Sequence, residues 1–342
     1  MIKKKYTIHD LARELDVTAS TVSRALNDHP RISEKTKKKV FETARKFGYE
    51  PNTLASALRR GKSNTIGIIV PFIDRSFFAS VIRGVEEETK KAGFHVTICQ
   101  THEKLEDEIQ SIQTLLNARV SGMIISAAKE STNFDHLKAL QDKGISVVLF
   151  DRLINSLDNC SVVIDDFLGA YKAVEHLIRQ GYTRIAHFTG PEKISIYKER
   201  LRGYQSALED YKLPINKKWI IEMNSQVSEG RKGICRLLKG KQRPDALFSS
   251  SDFSALGALQ VLKEQNISVP DEFGIVGFSN EPFTQYLDPS LSSVDQNSNK
   301  MGHIAAKLLM EQINGDTMSD IAQKIYLKPE LMIRQSSKRS KT

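Results

Sequence analysis

From residue 65 onward the chain alternates short apolar runs with longer amphipathic segments, and this alternation constrains the fold more than any other feature. The runs "TIGIIVP", "FHVTICQ", "SGMIISA", "ISVVLFD", "CSVVID", "RIAHFTG", "DALFSSS" and "FGIVGFS" have the length of strands. Helical patterns such as "SFFASVIRGVEEETKKAG" and "DFLGAYKAVEHLIRQGY" separate most of them. Strands that alternate with helices in this way predict a doubly wound parallel sheet.

Eight such runs exceed one sheet of five or six strands, so the sequence predicts two similar α/β subdomains with a break near "DRLINSLDNC". We expect an N-subdomain of about 63–160 plus 292–325, a C-subdomain of about 161–291 plus 326–334, and a basic tail, 335–342. Ligands of open parallel sheets bind beyond the carboxyl ends of the strands. Two sheets that face each other therefore predict a cleft between them.

Residues 1–49 show a different pattern, because three short apolar stripes of helical spacing follow one another without a strand. Only "DVT" separates the first two stripes, which is the length of the turn in a helix-turn-helix. Ser33 is the expected N-cap of the third helix and Gly48 its end. Residues 50–62, with "PNTLASALRRGKS" as one possible short helix, are predicted to form a hinge that leads into a core of residues 63–342.

The net charge of +9 is concentrated at the N-terminus. Residues 1–62 hold 15 Lys and Arg against 7 Asp and Glu, whereas the remaining residues hold 35 against 34. A compact basic segment on a nearly neutral body is typical of a protein that meets a polyanion with one end. A solvated lysine-rich face is the alternative explanation for the same charge.

Several classes of site and location are not indicated by the sequence. Cys99, Cys160 and Cys235 are too widely spaced for a zinc motif and odd in number for a disulfide framework, so we expect reduced thiols. No apolar stretch of about 18 residues and no signal peptide is evident, which favours a cytoplasmic protein. No motif for a cofactor or a metal is present.

The stretch "TASTVSRALN" is the predicted second helix of the helix-turn-helix. Its apolar residues Val22, Ala25 and Leu26 are expected to pack inward. The outer side then carries hydroxyls, an amide and one arginine, groups that bond phosphates and base edges in the major groove. We interpret this helix as a DNA reader, with an ordinary polar helix face as the alternative. The outer residues are Thr18, Ala19, Ser20, Ser23, Arg24 and Asn27.

At this point the chain resembles the LacI/GalR family of bacterial transcription regulators over essentially its whole length. The N-terminal motifs are "TIHDLARELDVTASTVSRALN" and "RISEKTKKKV", and "YEPNTLASALRRGKSNTIGIIVP" resembles the hinge and first core strand. In the core, "SDFSALGALQVLKE" and "GIVGFSN" carry the resemblance. Asp16 departs from the Gly common in the turn, but Asp tolerates a left-handed backbone better than most residues.

The resemblance implies DNA-binding roles for specific positions. Ala19, Ser20 and Arg24 would face bases, and Arg31 would lie near the DNA backbone. Leu58 matches an apolar wedge inserted into the minor groove, with plain packing in the hinge helix as its alternative role. The positions that match phosphate contacts or anchors are Thr7, Thr18, Ser23, Asn27, Ser33, Thr36, Tyr49 and Asn52.

The resemblance also places an effector pocket between the subdomains. Ser251 and Ser279 stand where sugar-binding relatives commonly have Asn and Asp, so the ligand cannot be inherited from any one relative. Structural roles remain open for single residues, since Asp252 could cap a helix and Arg152 could form a surface ion pair. The candidates are Phe72, Phe77, Asp151, Arg152, Thr189, Arg200, Ser251, Asp252, Ser279 and Asn280.

These observations predict a ligand-responsive DNA-binding transcription regulator, a repressor of a carbohydrate or related metabolic operon, with operator DNA and a sugar-like effector as partners. It is expected to act as a homodimer, because one helix-turn-helix reads only a half-site. The resemblance implies dimerisation through the core around "SFFASVIRGVEEE", and the basic tail is expected to be disordered. An α/β enzyme and a solute-binding protein are the alternatives, but "GKS" and "GFSNE" fail as phosphate-loop and nucleophile motifs.

Overall fold

The structure, a computed structural model, describes residues 6–26, 28–49, 63–315 and 322–339. The chain divides into two compact units, Met1–Ser63 and Asn64–Thr342. None of the helices in the described ranges is long and apolar enough to span a membrane.

The described part of the first unit is helical, as the sequence predicts. It contains helices α1 (Ile8–Glu14), α2 (Ala19–Leu26) and α3 (Glu34–Phe47). They enclose a small core in which Leu11, Val22, Ala25 and Val40 are almost fully buried. Each of these residues belongs to an apolar stripe recognised in the sequence, so helical periodicity alone is sufficient to locate this core.

The predicted ends of the third helix are confirmed. Ser33 caps α3, because its hydroxyl accepts the N–H of Thr36, and Gly48 ends that helix with a φ of 59°. Thr7 forms a reciprocal capping box with Asp10 at the start of α1. Asp16 adopts a left-handed φ of 52°, so the turn tolerates Asp in place of Gly.

The described part of the second unit contains two six-stranded sheets, which confirms the predicted fold class. The strands are β1 (Thr65–Val70), β2 (His95–Gln100), β3 (Gly122–Ile125), β4 (Ser146–Phe150), β5 (Cys160–Ile164), β6 (Ile185–Thr189), β7 (Ile220–Glu222), β8 (Ala246–Ser249), β9 (Gly274–Phe278), β10 (Ser292–Asp295), β11 (Lys324–Leu327) and β12 (Glu330–Met332). The first sheet has the order β11-β5-β4-β3-β1-β2, and the second has the order β12-β10-β9-β8-β6-β7. Strand β12 runs antiparallel to β10, whereas the other described pairs are parallel.

Helices cover both faces of each sheet, so most central strands are buried on both sides. This explains why the sequence shows continuous apolar runs instead of alternation in β1, β4 and β9. The helices are α4 (Ser76–Lys91), α5 (Leu105–Asn117), α6 (Asp135–Asp142), α7 (Asp166–Arg179), α8 (Ser195–Asp210), α9 (Val227–Leu238), α10 (Asp252–Glu264) and α11 (Ser298–Asn314).

Helices α4 and α11 pack closely over the first sheet because each has a glycine at the contact. A Cβ atom on Gly84 would lie 2.2 Å from the Asn299 carbonyl oxygen, and one on Gly302 would lie 2.1 Å from the Val81 carbonyl oxygen. No side chain could fit at either position without moving the backbone of the partner helix. The apolar face of α4 is therefore used inside the subdomain.

The structure corrects the predicted boundaries of the subdomains. Strand β5 pairs with β4 in the first sheet, although residues from 161 onward were expected in the second subdomain. Strand β10 pairs with β9 in the second sheet, and β11 pairs with β5 in the first. The chain therefore passes from one subdomain to the other several residues later than expected at each of these points. The segment "DRLINSLDNC" is a loop that leads into β5 within the first subdomain. The interruption of the strand and helix pattern there is therefore not the boundary between the subdomains.

The expectation of a disordered tail is wrong for residues 335–339. Ser336 and Ser337 are fully buried, and the Ser336 hydroxyl donates to the Ile275 carbonyl oxygen at 2.7 Å. The Arg339 guanidinium lies 4.0 Å from the centroid of the Tyr182 ring. Small hydroxyl side chains can be buried when they form hydrogen bonds with neighbouring strands. The sequence analysis missed this because the segment has no apolar residues. Residues 340–342 lie outside the described part of the chain.

We predict that deletion of residues 336–342 lowers the free energy of unfolding by about 2 kcal/mol or more, because it leaves buried polar groups without partners. Among these groups are the Ile275 carbonyl and the Ser292 N–H, which donates to the Ser336 hydroxyl at 2.9 Å. Urea-induced unfolding measures the change, with deletion of residues 340–342 as the control. Equal stability of the two truncated proteins would contradict this view of the segment.

Candidate functional site

The second helix of the N-terminal unit presents a polar face to solvent. Ser20 and Arg24 are exposed, Ala19 and Ser23 are partly exposed, and Val22 is buried on the opposite side. Thr18 is exposed just before the helix, and its hydroxyl accepts the Thr21 N–H at 3.2 Å. The helix is therefore held by its apolar side and by its first turn, while its outer face stays available to a partner.

Among the described residues of this unit, the basic side chains are exposed except for Lys37. The Lys37 ammonium lies 2.6 Å from carboxylate oxygens of both Asp28 and Glu34, and hydrogen bonds to these two residues raise its pKa. Lys37 thus fastens the turn after α2 to the start of α3. The exposed basic side chains are Arg13, Arg24, Arg31, Lys35, Lys38, Lys39, Arg45 and Lys46.

The other predicted DNA-binding positions divide into two groups. Thr7, Ser33 and Thr36 lie in the first turns or caps of α1 and α3, and Tyr49 follows α3. Free N–H groups at helix N-termini favour phosphate. Asn27, Asn52 and Leu58 lie outside the described residues, and so does the whole predicted hinge, residues 50–62.

In the second unit, a cavity of about 410 Å³ opens where the carboxyl ends of the two sheets face each other. Its lining includes most of the residues that the sequence nominated for a ligand pocket. These are Phe72, Phe77, Asp151, Arg152, Arg200, Ser251, Asp252 and Ser279. Parallel strands that end together explain why residues distant in sequence meet here.

Thr189 and Asn280 are not among the residues that line this cavity. The Thr189 hydroxyl donates to the Gly190 carbonyl oxygen at 3.2 Å. The Asn280 side chain donates to Asp295 at 2.7 Å and accepts from Arg334 at 2.7 Å. Both side chains are satisfied within the second subdomain, so a position just after a strand does not guarantee that a side chain faces the cleft.

Arg152 is the central cation of the cleft. It is 7% exposed, so it is not a surface ion pair. Its two terminal nitrogens donate to the two carboxylate oxygens of Glu103 at 2.7 and 2.8 Å, and it also donates to the Ala127 carbonyl oxygen. Burial alone would favour a neutral Glu103, yet the hydrogen bonds from Arg152 bring the pKa of Glu103 below its ordinary value. Glu103 was not nominated from the sequence.

Asp151 precedes Arg152 and has an unusual backbone conformation. Its φ is 68°, in the left-handed region that non-glycine residues rarely adopt. Its carboxylate accepts from the Ser126 hydroxyl at 3.2 Å, and burial raises its pKa. Strained residues of this kind are frequent at binding sites, and Asp151 lies where β4 ends at the cavity.

Arg200 is fixed from several sides. Its Nε donates to Asp166 at 2.7 Å, one terminal nitrogen donates to the Ser250 carbonyl oxygen at 3.0 Å, and the guanidinium lies 3.6 Å from the centroid of the Phe278 ring. Burial raises the pKa of Asp166 to about 7, and the nearby Arg200 acts in the opposite direction. The sequence indicated Arg200, but its partner Asp166 was missed because it opens a helix that follows a different strand.

Asp252 has a structural function in the second subdomain. Its carboxylate accepts from the Ser293 hydroxyl at 2.7 Å and from the Glu281 N–H at 2.8 Å, and burial raises its pKa to about 7. It therefore joins α10 to the ends of β9 and β10 and does not cap its own helix. Ser251 occupies the capping position, without a hydrogen bond from its side chain to the helix.

Three side chains reach across the cleft from the first subdomain to the second. The Arg75 guanidinium lies 3.8 Å from the centroid of the Phe253 ring, and the Ser76 hydroxyl donates to Glu281. The Lys129 ammonium lies 5.2 Å from the centroid of the Tyr197 ring. Tyr197 and Phe253 provide aromatic walls that the sequence analysis missed, although each lies in the first turn of a helix that follows a strand.

The described residues contain no group of His, Cys, Asp and Glu that could hold a metal ion. The cleft instead combines aromatic rings with carboxylates, hydroxyls and amides. Such a set of donors and acceptors can bind a small molecule through hydrogen bonds and stacking.

Comparison with known proteins agrees with this arrangement. Residues 7–52 match the sequence model for bacterial regulatory proteins of the lacI family, and residues 174–337 match that for a periplasmic binding protein-like domain. The catabolite control protein A of Priestia megaterium is 31% identical over 97% of this chain and 99% of its own length. The transcriptional repressor CytR of Escherichia coli K12 is 32% identical over 97% of this chain and 96% of its own length.

Solved structures show the same fold. A complex of the transcriptional regulator CelR with cellobiose has a TM-score of 0.74 at 25% identity and covers 97% of this chain and 100% of its own. The lac repressor dimer bound to operator has a TM-score of 0.85 at 22% identity, covers 98% of this chain and 99% of its own, and supports the fold alone. With relatives above 30% identity along nearly the full length, the chain belongs to the LacI family of DNA-binding transcriptional regulators.

Proposed function

We propose that this regulator represses a carbohydrate or related metabolic operon, that it binds a near-palindromic operator as a homodimer in the cytoplasm, and that a small molecule in the cleft changes its affinity for DNA. The observation that carries the proposal is the presence, in one chain, of an exposed polar face on the second helix of a basic helical unit and a cavity between two parallel sheets. The relatives above 30% identity are named as transcriptional regulators and not as enzymes.

For DNA, we assign base contacts to Ala19, Ser20 and Arg24, because they share the outer side of α2. The guanidinium of Arg24 can donate two hydrogen bonds to guanine, which gives the strongest discrimination in the major groove. The backbone contacts are assigned to Thr7, Thr18, Ser23, Arg31, Ser33, Thr36 and Tyr49. The family resemblance adds Asn27, Asn52 and the wedge Leu58 to this proposal.

For the effector, we favour a sugar or a sugar derivative. The relatives include a ribose operon repressor from Haemophilus influenzae and a regulator solved with cellobiose. In this chain, the rings of Tyr197 and Phe253 line the cavity, and Asp151 offers an acceptor for a ligand hydroxyl. Contacts such as that of Arg75 with Phe253 join the two subdomains across the cleft. A ligand that opens or closes the cleft would therefore change the relative position of the subdomains. Through the hinge, that change would alter the affinity for DNA.

For the dimer, we place the contact at the free edge of the first sheet. Ile98 on the edge strand β2 is 44% exposed, and Ile109 on the adjacent α5 is 45% exposed. Ile73, in the loop after β1, is 55% exposed, and its N–H donates to the side chain of Gln100 at the end of β2. Clustered exposed apolar side chains mark protein interfaces. Helix α4, which carries "SFFASVIRGVEEE", contributes less than expected from the sequence because its apolar face packs on α11.

We predict that Arg24→Ala and Arg24→Lys both abolish the preference for operator over random DNA. Lysine keeps the charge but cannot present the two-pronged donor, so Arg24→Lys should retain nonspecific affinity and its salt dependence. Fluorescence anisotropy with an operator selected in vitro measures both properties. Full operator preference in Arg24→Lys would show that this side chain contacts phosphate and not a base.

We predict that Phe253→Leu weakens effector binding about tenfold, because it removes the aromatic wall that the cleft presents to the ligand. Phe283→Leu is the control, since Phe283 packs against Phe253 with 5.1 Å between ring centroids but does not line the cavity. Calorimetric titration with a panel of monosaccharides, disaccharides and nucleosides identifies the ligand and then compares the variants. Equal losses in the two variants would mean that Phe253 acts only through packing.

We predict that Ile98→Glu converts the dimer to monomers and lowers operator affinity, because a charge on the β2 edge would be buried in the interface. Ile333→Glu is the control, since Ile333 is 52% exposed on a different part of the core. Sedimentation velocity measures the oligomeric state. A dimer that survives Ile98→Glu unchanged would move the interface to another surface.

A further inference from the structure

Two arginines that line the cleft form ion pairs within the protein. Arg152 donates to both oxygens of Glu103, and its Nε lies 3.5 Å from Asp151. Arg200 is paired with Asp166 at 2.7 Å. A guanidinium that forms a two-pronged pair with a carboxylate has its best geometry for phosphate occupied.

Glu103 also contacts a second cation. The Lys129 ammonium lies 3.7 Å from one Glu103 oxygen, and the Lys129 N–H donates to the other oxygen at 2.9 Å. Glu103 therefore links Lys129, in the loop after β3, to Arg152, in the loop after β4. One carboxylate thus sets the local charge on the first-subdomain side of the cavity.

Arg75 also lines the cavity and contacts aromatic rings. Its guanidinium lies 3.8 Å from the centroid of Phe253 and 5.9 Å from that of Phe72, and it donates to the Ser225 carbonyl oxygen at 3.5 Å. Arg75 therefore forms part of the wall between the subdomains.

The groups left for a ligand suit hydroxyls and apolar faces. Acidic residues outnumber basic ones in the lining, and Glu130, Asp151 and Glu281 add acceptors. The Ser250 hydroxyl is buried at the cavity without a hydrogen-bond partner among the described residues. A buried hydroxyl without a hydrogen-bond partner is unfavourable unless a ligand or a water molecule forms a hydrogen bond with it.

We propose that Glu103 determines the class of effector: by occupying Arg152 and Lys129, it restricts the cleft to an uncharged, hydroxyl-rich molecule and excludes phosphorylated or carboxylate-bearing ones. This inference rests on the proposed function, since it assumes that the cleft is the effector site. Ser250 then supplies a hydrogen bond to a ligand hydroxyl. The charge balance of the site, and not its shape alone, makes the distinction between a sugar and its phosphate ester.

Inorganic phosphate tests the role of Glu103 without knowledge of the natural ligand. Glu103→Gln keeps the size of the side chain but frees the charges of Arg152 and Lys129, so the full-length variant should bind phosphate about tenfold or more tightly than the wild type. Glu106→Gln is the control, because Glu106 is an exposed residue of α5 outside the cavity lining. Calorimetry at constant ionic strength measures affinity, and circular dichroism verifies folding of each variant.

Wild-type protein that already binds phosphate as tightly as Glu103→Gln would overturn the proposal, since its cations would then be available. A gain shared equally by Glu106→Gln would overturn it too, because that gain would reflect net charge. The expected result is a gain confined to Glu103→Gln.

A second measurement needs no variant. Wild-type protein is titrated with matched pairs: ribose and ribose 5-phosphate, glucose and glucose 6-phosphate, cytidine and cytidine 5′-monophosphate. The neutral member of at least one pair should bind, and its phosphate ester should bind at least about tenfold more weakly. Tighter binding of an ester, or binding of no neutral member, overturns the inference. Operator binding measured on the same samples tests the proposed function separately, because it does not depend on which ligand class the cleft accepts.

Discussion

Burial of charge between the two sheets is the constraint on which the ligand site depends. A guanidinium removed from water is strongly unfavourable unless a carboxylate and further acceptors surround it. The structure meets this requirement twice, with Arg152 against Glu103 and Arg200 against Asp166. These pairs fix the rotamers of residues at the ends of β4 and in α8, so the cavity has a defined shape and charge before a ligand binds.

The fold followed from the sequence because its signals are local and repeated. Apolar runs of strand length, separated by helical patterns, determine the two parallel sheets, and three apolar stripes determine the N-terminal helices. The boundaries of the subdomains were predicted less accurately, because the pairing of β5 with β4 depends on contacts between residues distant in sequence. The ordered segment 335–339 was missed for a similar reason, since its stability comes from hydrogen bonds with β9 and β10.

The site was partly predictable for a physical reason. Carboxyl ends of parallel strands meet at one edge, so Phe72, Asp151 and Ser251 could be placed at the cavity from their positions after strands. Glu103, Asp166 and Tyr197 could not, because their partners Arg152, Arg200 and Lys129 lie on other elements that are distant in sequence. The sequence likewise does not indicate that Arg334 lies beside Asn280 and donates a hydrogen bond to its side chain.

The central claim is that the cleft and the DNA-reading helix are thermodynamically coupled, and reciprocal titrations test it most directly. Operator affinity is measured with and without saturating cleft ligand, and ligand affinity is measured with and without operator. The account predicts that both change by the same factor, typically about 5- to 150-fold, since coupling between two sites is mutual. A ligand that binds in the cleft and leaves operator affinity unchanged would contradict it.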